Sequence, residues 1–144
     1  MARVSTYLNF MGNTEAAFEF YRSVFGTEYL APIQRMGDVP GMGEQLADDE
    51  KNLVMHVELP ILGGHVIMAT DMIPSSGHEL RVGNNTTLNL EPDTLEETQR
   101  LYDALSEGGA EGSGLEQMFW GATWGSCLDR FGIRWMFNYA PAST

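Results

Sequence analysis

The chain has 144 residues, enough for one domain of a size that hides roughly 70% of its unfolded surface without a covalent staple. Eight Lys and Arg against twenty Asp and Glu give a formal charge of −12, which repels phosphate backbones and anionic lipid, so neither nucleic acid nor a membrane is an expected partner. Cys127 is the single cysteine, which excludes an internal disulfide and a cysteine-cluster metal site.

The opening MARVSTYLNF has no basic leader and no long apolar stretch, unlike a signal peptide, and no later run approaches bilayer length. The expected location is cytoplasmic. Within that opening, VSTYLNF alternates with the period of a strand. A helix follows, with Asn13 as its expected cap and Phe18, Tyr21 and Phe25 as its apolar stripe. Residues 36–51, MGDVPGMGEQLADDEK, offer little to bury and are expected to form a solvated, mobile loop. Strand-like runs return in NLVMHVELPIL and GGHVIMATDM, and NNTTLNLE opens a second alternating segment. Its helix is expected to start at Asp93, with Glu96 completing a capping box, and to bury Thr98, Leu101 and Leu105. GATWGSCLDRFGIRWMFNYA supplies the last strands.

These elements form a duplication. A shift of 80 positions lays Thr6 on Thr86, Leu8 on Leu88 and Asn9 on Asn89, and a shift of 68 lays Gly64 on Gly132 and Met68 on Met136. The unit reads βαβββ, twice. The expected fold is α+β: one domain over residues 1–144, with modules of about 1–75 and 80–144, and curved, largely antiparallel sheets around a concave site.

Side chains alternate along a strand, so assigning one face to the helix fixes the other. Thr6, Leu8, Phe10, Met55, Val57, Leu59, Leu88, Leu90, Ile133, Trp135 and Phe137 suit the helix side. Tyr7, Asn9, His56, Glu58, Asn85, Thr87, Asn89, Arg134 and Asn138 collect on the other, with Met68 and Met136. A dry core of four Asn amides is excluded by about 1–3 kcal/mol for each unpartnered group. That face therefore meets either water, as the outside of a half-exposed sheet, or a ligand. Phe119, Trp120 and Trp124 are candidates for the apolar walls of such a site, or for ordinary core.

The paired βαβββ modules, with YLNFMGNTEAAFEFYRSVFG, MHVEL and FWGATWGSCLDRFGIRWMFNY, resemble the vicinal oxygen chelate superfamily of glyoxalase I, bleomycin-resistance proteins and extradiol dioxygenases. Within it the chain is most similar to the PhnB-like subgroup, often labelled demethylubiquinone methyltransferase-like. The resemblance implies a homodimer. It also implies four positions at which the metalloenzymes of the superfamily hold a divalent ion, and these fall on Ser5, Met68, Asn85 and Met136. Two thioethers, a hydroxyl and an amide suit a hard or borderline cation poorly, so no metal and no other cofactor is expected.

Three functions follow as expectations. The first is a metal-free binder of an unidentified small molecule, with Tyr7, Asn9, Asn85, Thr87, Asn89, Trp120, Trp124, Arg134 and Asn138 against the ligand. The second is a lyase- or isomerase-type enzyme in which His56 moves a proton and Glu58 orients it. His56 and Glu58 also allow a displaced metal site or a purely structural pair, and Arg134 either anchors an anion or pairs with Glu58. The third is a dimeric interaction module. Methyl transfer from an adenosylated donor would need a nucleoside site, commonly a glycine-rich strand-to-helix turn, and the sequence has none.

Overall fold

The computed structural model describes residues 1–141 and divides into two compact units, Met1–Arg81 and Val82–Thr144. The first contains β1 (Thr6–Phe10), α1 (Thr14–Phe25), β2 (Gln34–Arg35), β3 (Val54–Pro60) and β4 (Val66–Asp71), with sheet order β1-β4-β3-β2. The second contains β5 (Leu88–Leu90), α2 (Leu95–Ser106), β6 (Glu116–Gln117), β7 (Thr123–Leu128) and β8 (Arg134–Tyr139), with order β5-β8-β7-β6. The expected α+β architecture and the βαβββ order of both copies are present. Each sheet is mixed: β1 with β4 and β5 with β8 run parallel, and the other pairs are antiparallel.

In the first unit Ala17, Phe18 and Tyr21 of α1 are fully buried over Val57, Leu59, Ile67 and Ala69. Phe18 meets Phe10 edge-on at 6.3 Å and Tyr21 at 5.7 Å. Burying side chains of this size stabilises the fold by about 1.5–3 kcal/mol each. Gly26 ends the helix with φ 65°, a left-handed conformation that glycine adopts freely, and its N–H closes on the Arg22 carbonyl.

The second unit buries Leu101, Leu105 and Thr98 of α2 against Leu90, Trp135 and Phe137. Asp129 clasps the DRFG turn. Its Oδ1 accepts from the backbone of Phe131 and Ile133 at 2.8 and 3.0 Å, and its Oδ2 from Trp135 Nε1 at 2.8 Å. Gly132 turns the chain with φ 88°.

Several local expectations are corrected. The Asn13 side chain makes no capping bond, because Asp71 takes the N–H groups at that end of α1. Thr94, not Asp93, caps α2, accepting from Glu97 N at 3.1 Å. Phe25 is half-buried, and Val24 completes the α1 stripe. In β3 the register against β2 slips, with Gln34 opposite His56 and Arg35 opposite Val54. Val54 therefore takes the buried place expected for Met55. Residues 36–51 hold three short 3-10 turns, and Met36 and Glu50 are buried.

The repeat is also corrected. The parallel ladders pair Leu8 with Ala69 and Leu88 with Trp135, so the last strands correspond at a shift of 66 rather than 68. The counterpart of Met68 is thus Arg134, and Met136 is the counterpart of Thr70.

Candidate functional site

On the face of the first sheet turned away from α1, the ladders set Tyr7, Met68 and Glu58 side by side. The adjoining row holds Asn9 beside Thr70, and His56 beside Gln34. Alternation is what brings these polar side chains together, since Leu8, Phe10, Val57, Leu59, Ile67 and Ala69 go to the core.

Three of them form a hydrogen-bonded relay. His56 Nε2 lies 3.1 Å from Glu58 Oε1, and His56 Nδ1 lies 3.3 Å from the Tyr7 hydroxyl. With the carboxylate accepting from Nε2–H, Nδ1 accepts from the phenol. Burial raises the Tyr7 pKa, against a smaller lowering by its Thr70 hydrogen bond, so the phenol keeps its proton at neutral pH. His56 and Glu58 side chains are 28% and 27% exposed and Tyr7 is 49% exposed, so the relay ends in a group that solvent or a ligand reaches. Asn9 is exposed beside it. The structure brings Tyr7, Asn9, His56 and Glu58 onto one face of the first sheet together with Thr70 and Gln34; alternation from Met68 reaches Thr70, whereas Gln34 lies in a two-residue strand that no alternating run announces.

In the second unit Asn138 Nδ2 donates to Asn89 Oδ1 at 2.7 Å, and Trp124 pairs with Asn138 across β7 and β8. Asn85 and Thr87 are exposed and precede β5, which is shorter than the alternating run implied. Phe119 and Trp120 occupy the exposed tip of the turn between β6 and β7, edge to face at 4.8 Å, and are not core. Arg134 pairs within its own unit, with Glu111. Its Nη2 lies 3.0 Å from Glu111 Oε2, its Nη1 3.4 Å from Glu111 Oε1, and its Nε donates to the Gly83 carbonyl at 2.9 Å. Thr87, Ser126, Glu111 and Arg134 border a pocket of about 160 Å³.

The donors do not fit the divalent ion of the superfamily's metalloenzymes. Ser5 Oγ and Met68 Sδ stand 4.0 Å apart in the first unit. With the corrected register the remaining positions are Asn85 and Arg134, and a guanidinium carries no lone pair to give. Among the described residues no three His, Cys, Asp or Glu side chains group as metal ligands, so His56 and Glu58 lack a third partner of that kind. The turns that lead into α1 and α2 are Met11–Asn13 and Glu91–Thr94, neither of them glycine-rich. Among the described residues no helix is long and apolar enough to cross a membrane.

Known proteins agree with this architecture. Residues 2–137 match the family model described as 3-demethylubiquinone-9 3-methyltransferase. Protein YjdN of Escherichia coli is 28% identical over 142 residues, 94% of this chain and 93% of that protein. The crystal structure of PA1353 from Pseudomonas aeruginosa superposes with a TM-score of 0.83 at 32% identity, covering 97% of this chain and 98% of that one. A glyoxalase/bleomycin resistance protein/dioxygenase family enzyme from Burkholderia phytofirmans shares the fold, with a TM-score of 0.59 at 18% identity over 94% of this chain and 97% of that one. The paired βαβββ units and the match over nearly the whole chain place this protein in the family described as 3-demethylubiquinone-9 3-methyltransferase.

Proposed function

We propose that the chain is a small-molecule binder of this family that works without a divalent ion. The observation that carries the reading is the Glu58–His56–Tyr7 relay, which presents a protonated phenol at a half-exposed end with Asn9 beside it. The phenol proton is held by His56 Nδ1, so the Tyr7 oxygen is a preorganised acceptor, and with the Asn9 amide beside it this polar sheet face recognises a ligand hydroxyl or N–H at little entropic cost. In the second unit Asn85, Thr87, Asn89, Trp120, Trp124, Arg134 and Asn138 are the further ligand-facing groups of this reading.

The same relay supports a second reading, acid–base catalysis of the lyase or isomerase type. Both His56 nitrogens are engaged, so a substrate proton would pass to the Tyr7 oxygen as the phenol gives its own to His56 Nδ1, with Glu58 holding the imidazole behind it.

A thermal-shift screen of small molecules on wild type, Asn9→Leu and His56→Ala tests the binding reading. The expected result is a compound that raises the wild-type Tm, with the shift reduced in both variants while their unliganded Tm stays close to wild type. A full screen without a shift, or a shift intact in both variants, overturns it. Turnover of a compound so found, abolished by Tyr7→Phe, would select the enzymatic reading over simple binding.

A further inference from the structure

Glu111 is the only described non-glycine residue with a left-handed backbone, φ 54°. A residue with a Cβ is strained there, and such strain persists where the surroundings over-determine it. The cause lies in the pairing on either side. Ala110 bonds reciprocally with Leu128, and the Ser113 N–H donates to the Ser126 carbonyl at 3.0 Å. Three steps on this segment therefore span two on β7, and Glu111 and Gly112 carry the surplus as a bulge. Glycine is the usual occupant of a left-handed bulge position. Here glutamate stands in it although glycines occur at 108, 109, 112 and 114.

The strained position aims the carboxylate onto Arg134. Both Glu111 oxygens face the two Nη atoms, while Arg134 Nε is fixed on the Gly83 carbonyl. The Glu111 side chain is 56% exposed and that of Arg134 is 21% exposed. The guanidinium thus forms part of the rim of the small pocket with Thr87 and Ser126, and its free edge is covered by a carboxylate with open water behind it.

We propose that Arg134 is the anchor for the carboxylate of a small organic acid, and that Glu111 is a built-in competitor that a ligand carboxylate must displace. The proposal rests on the second unit's polar face being ligand-facing and adds the ligand class and the gate. The chain's own carboxylate shows the geometry that the ligand adopts, two oxygens against Nη1 and Nη2. A pocket of about 160 Å³ limits the part that enters to a few heavy atoms. Tethered next to Arg134, Glu111 competes at high effective concentration and rejects weak anions such as chloride. Its backbone strain lowers its hold, so a ligand with further contacts to Thr87 or Ser126 wins the exchange.

The test uses propionate as probe and the Arg134 Nε–Hε NMR signal as readout, in wild type, Glu111→Gly and Glu111→Gln. Glycine removes the competitor and relaxes the backbone, and glutamine removes the charge alone. Propionate is expected to bind Glu111→Gly at least tenfold more tightly than wild type, with Glu111→Gln also tighter than wild type. Adding Arg134→Gln to Glu111→Gly, with propionate binding read by isothermal titration calorimetry because that variant has no Arg134 signal, is expected to abolish the gain. Equal affinity in wild type and both Glu111 variants, or a gain that survives Arg134→Gln, overturns the proposal and leaves Glu111 as a structural ion pair. Because the signal reports Arg134 alone, that failure is distinct from failure of the ligand screen on Asn9 and His56 variants.

Discussion

Asp71, the last residue of β4, holds Thr14 at the start of α1 through one oxygen: its Oδ1 accepts from the Thr14 hydroxyl at 2.6 Å and from the Thr14 N–H at 3.1 Å. The same oxygen accepts from Gly12 N at 3.0 Å, and Oδ2 accepts from Val54 N at 2.8 Å. One buried carboxylate therefore joins the β1–α1 turn, the helix and the start of β3, the elements that set Tyr7, Asn9 and His56 on one face.

Replacing Asp71 by Ala leaves these buried donors without their acceptor, and the loss of stability is expected to be about 3 kcal/mol or more. Asp71→Asn keeps one carbonyl acceptor and is expected to lose less. Urea denaturation of both variants is the check, and a loss below about 0.5 kcal/mol for Asp71→Ala would remove the carboxylate from this role.

Glu50 fastens the end of the 36–51 segment to the turn after β4. Ser75 donates to it through Oγ at 2.6 Å and through N at 3.1 Å, and these bonds hold its carboxyl below the usual range. A folded-state pKa below the unfolded value means that the contribution is complete above about pH 4.5, the unfolded-state value, and fades as pH falls through the folded value. The Tm difference between wild type and Glu50→Gln is expected to be constant from pH 7 to 5 and to shrink in more acid solution. A difference that is flat down to pH 2 contradicts this.

Cys127 lies in the core of the second unit, and burial, with Asp129 adding to it, pushes its thiol up to about 12. At pH 8 only about one thiol in ten thousand is then ionised. Iodoacetamide is expected to leave the native protein unmodified over hours and to alkylate it rapidly in denaturant, as read by intact mass. Fast labelling of the native state would mean that the β7–β8 core opens readily.

The Glu111–Arg134 pair left little trace in the sequence, because EGGAEGSG has no periodicity from which to read a partner. The one available signal was Glu111 flanked by small residues. The caps were misread for a related reason. Asn13 and Asp93 have the right chemistry and local spacing, yet Asp71 reaches α1 across the sheet, and Thr94 sits one residue closer to the second helix. Met55 was placed in the core by alternation, which assumes an unbroken register, and the slip between β2 and β3 breaks it.

The sequence by itself determined the duplicated βαβββ order and the sorting of Leu8, Phe10, Val57, Leu59, Trp135 and Phe137 inward, with Tyr7, Asn9, His56, Glu58 and Asn138 outward. Strand alternation and helix periodicity are local properties of the chain, and burial of apolar area enforces them. Tertiary structure alone decided which polar groups bond to one another. Asp71 with Thr14 and His56 with Tyr7 join residues 57 and 49 positions apart, and whether such atoms come within hydrogen-bond distance depends on strand register, bulges and backbone conformation that no local pattern encodes.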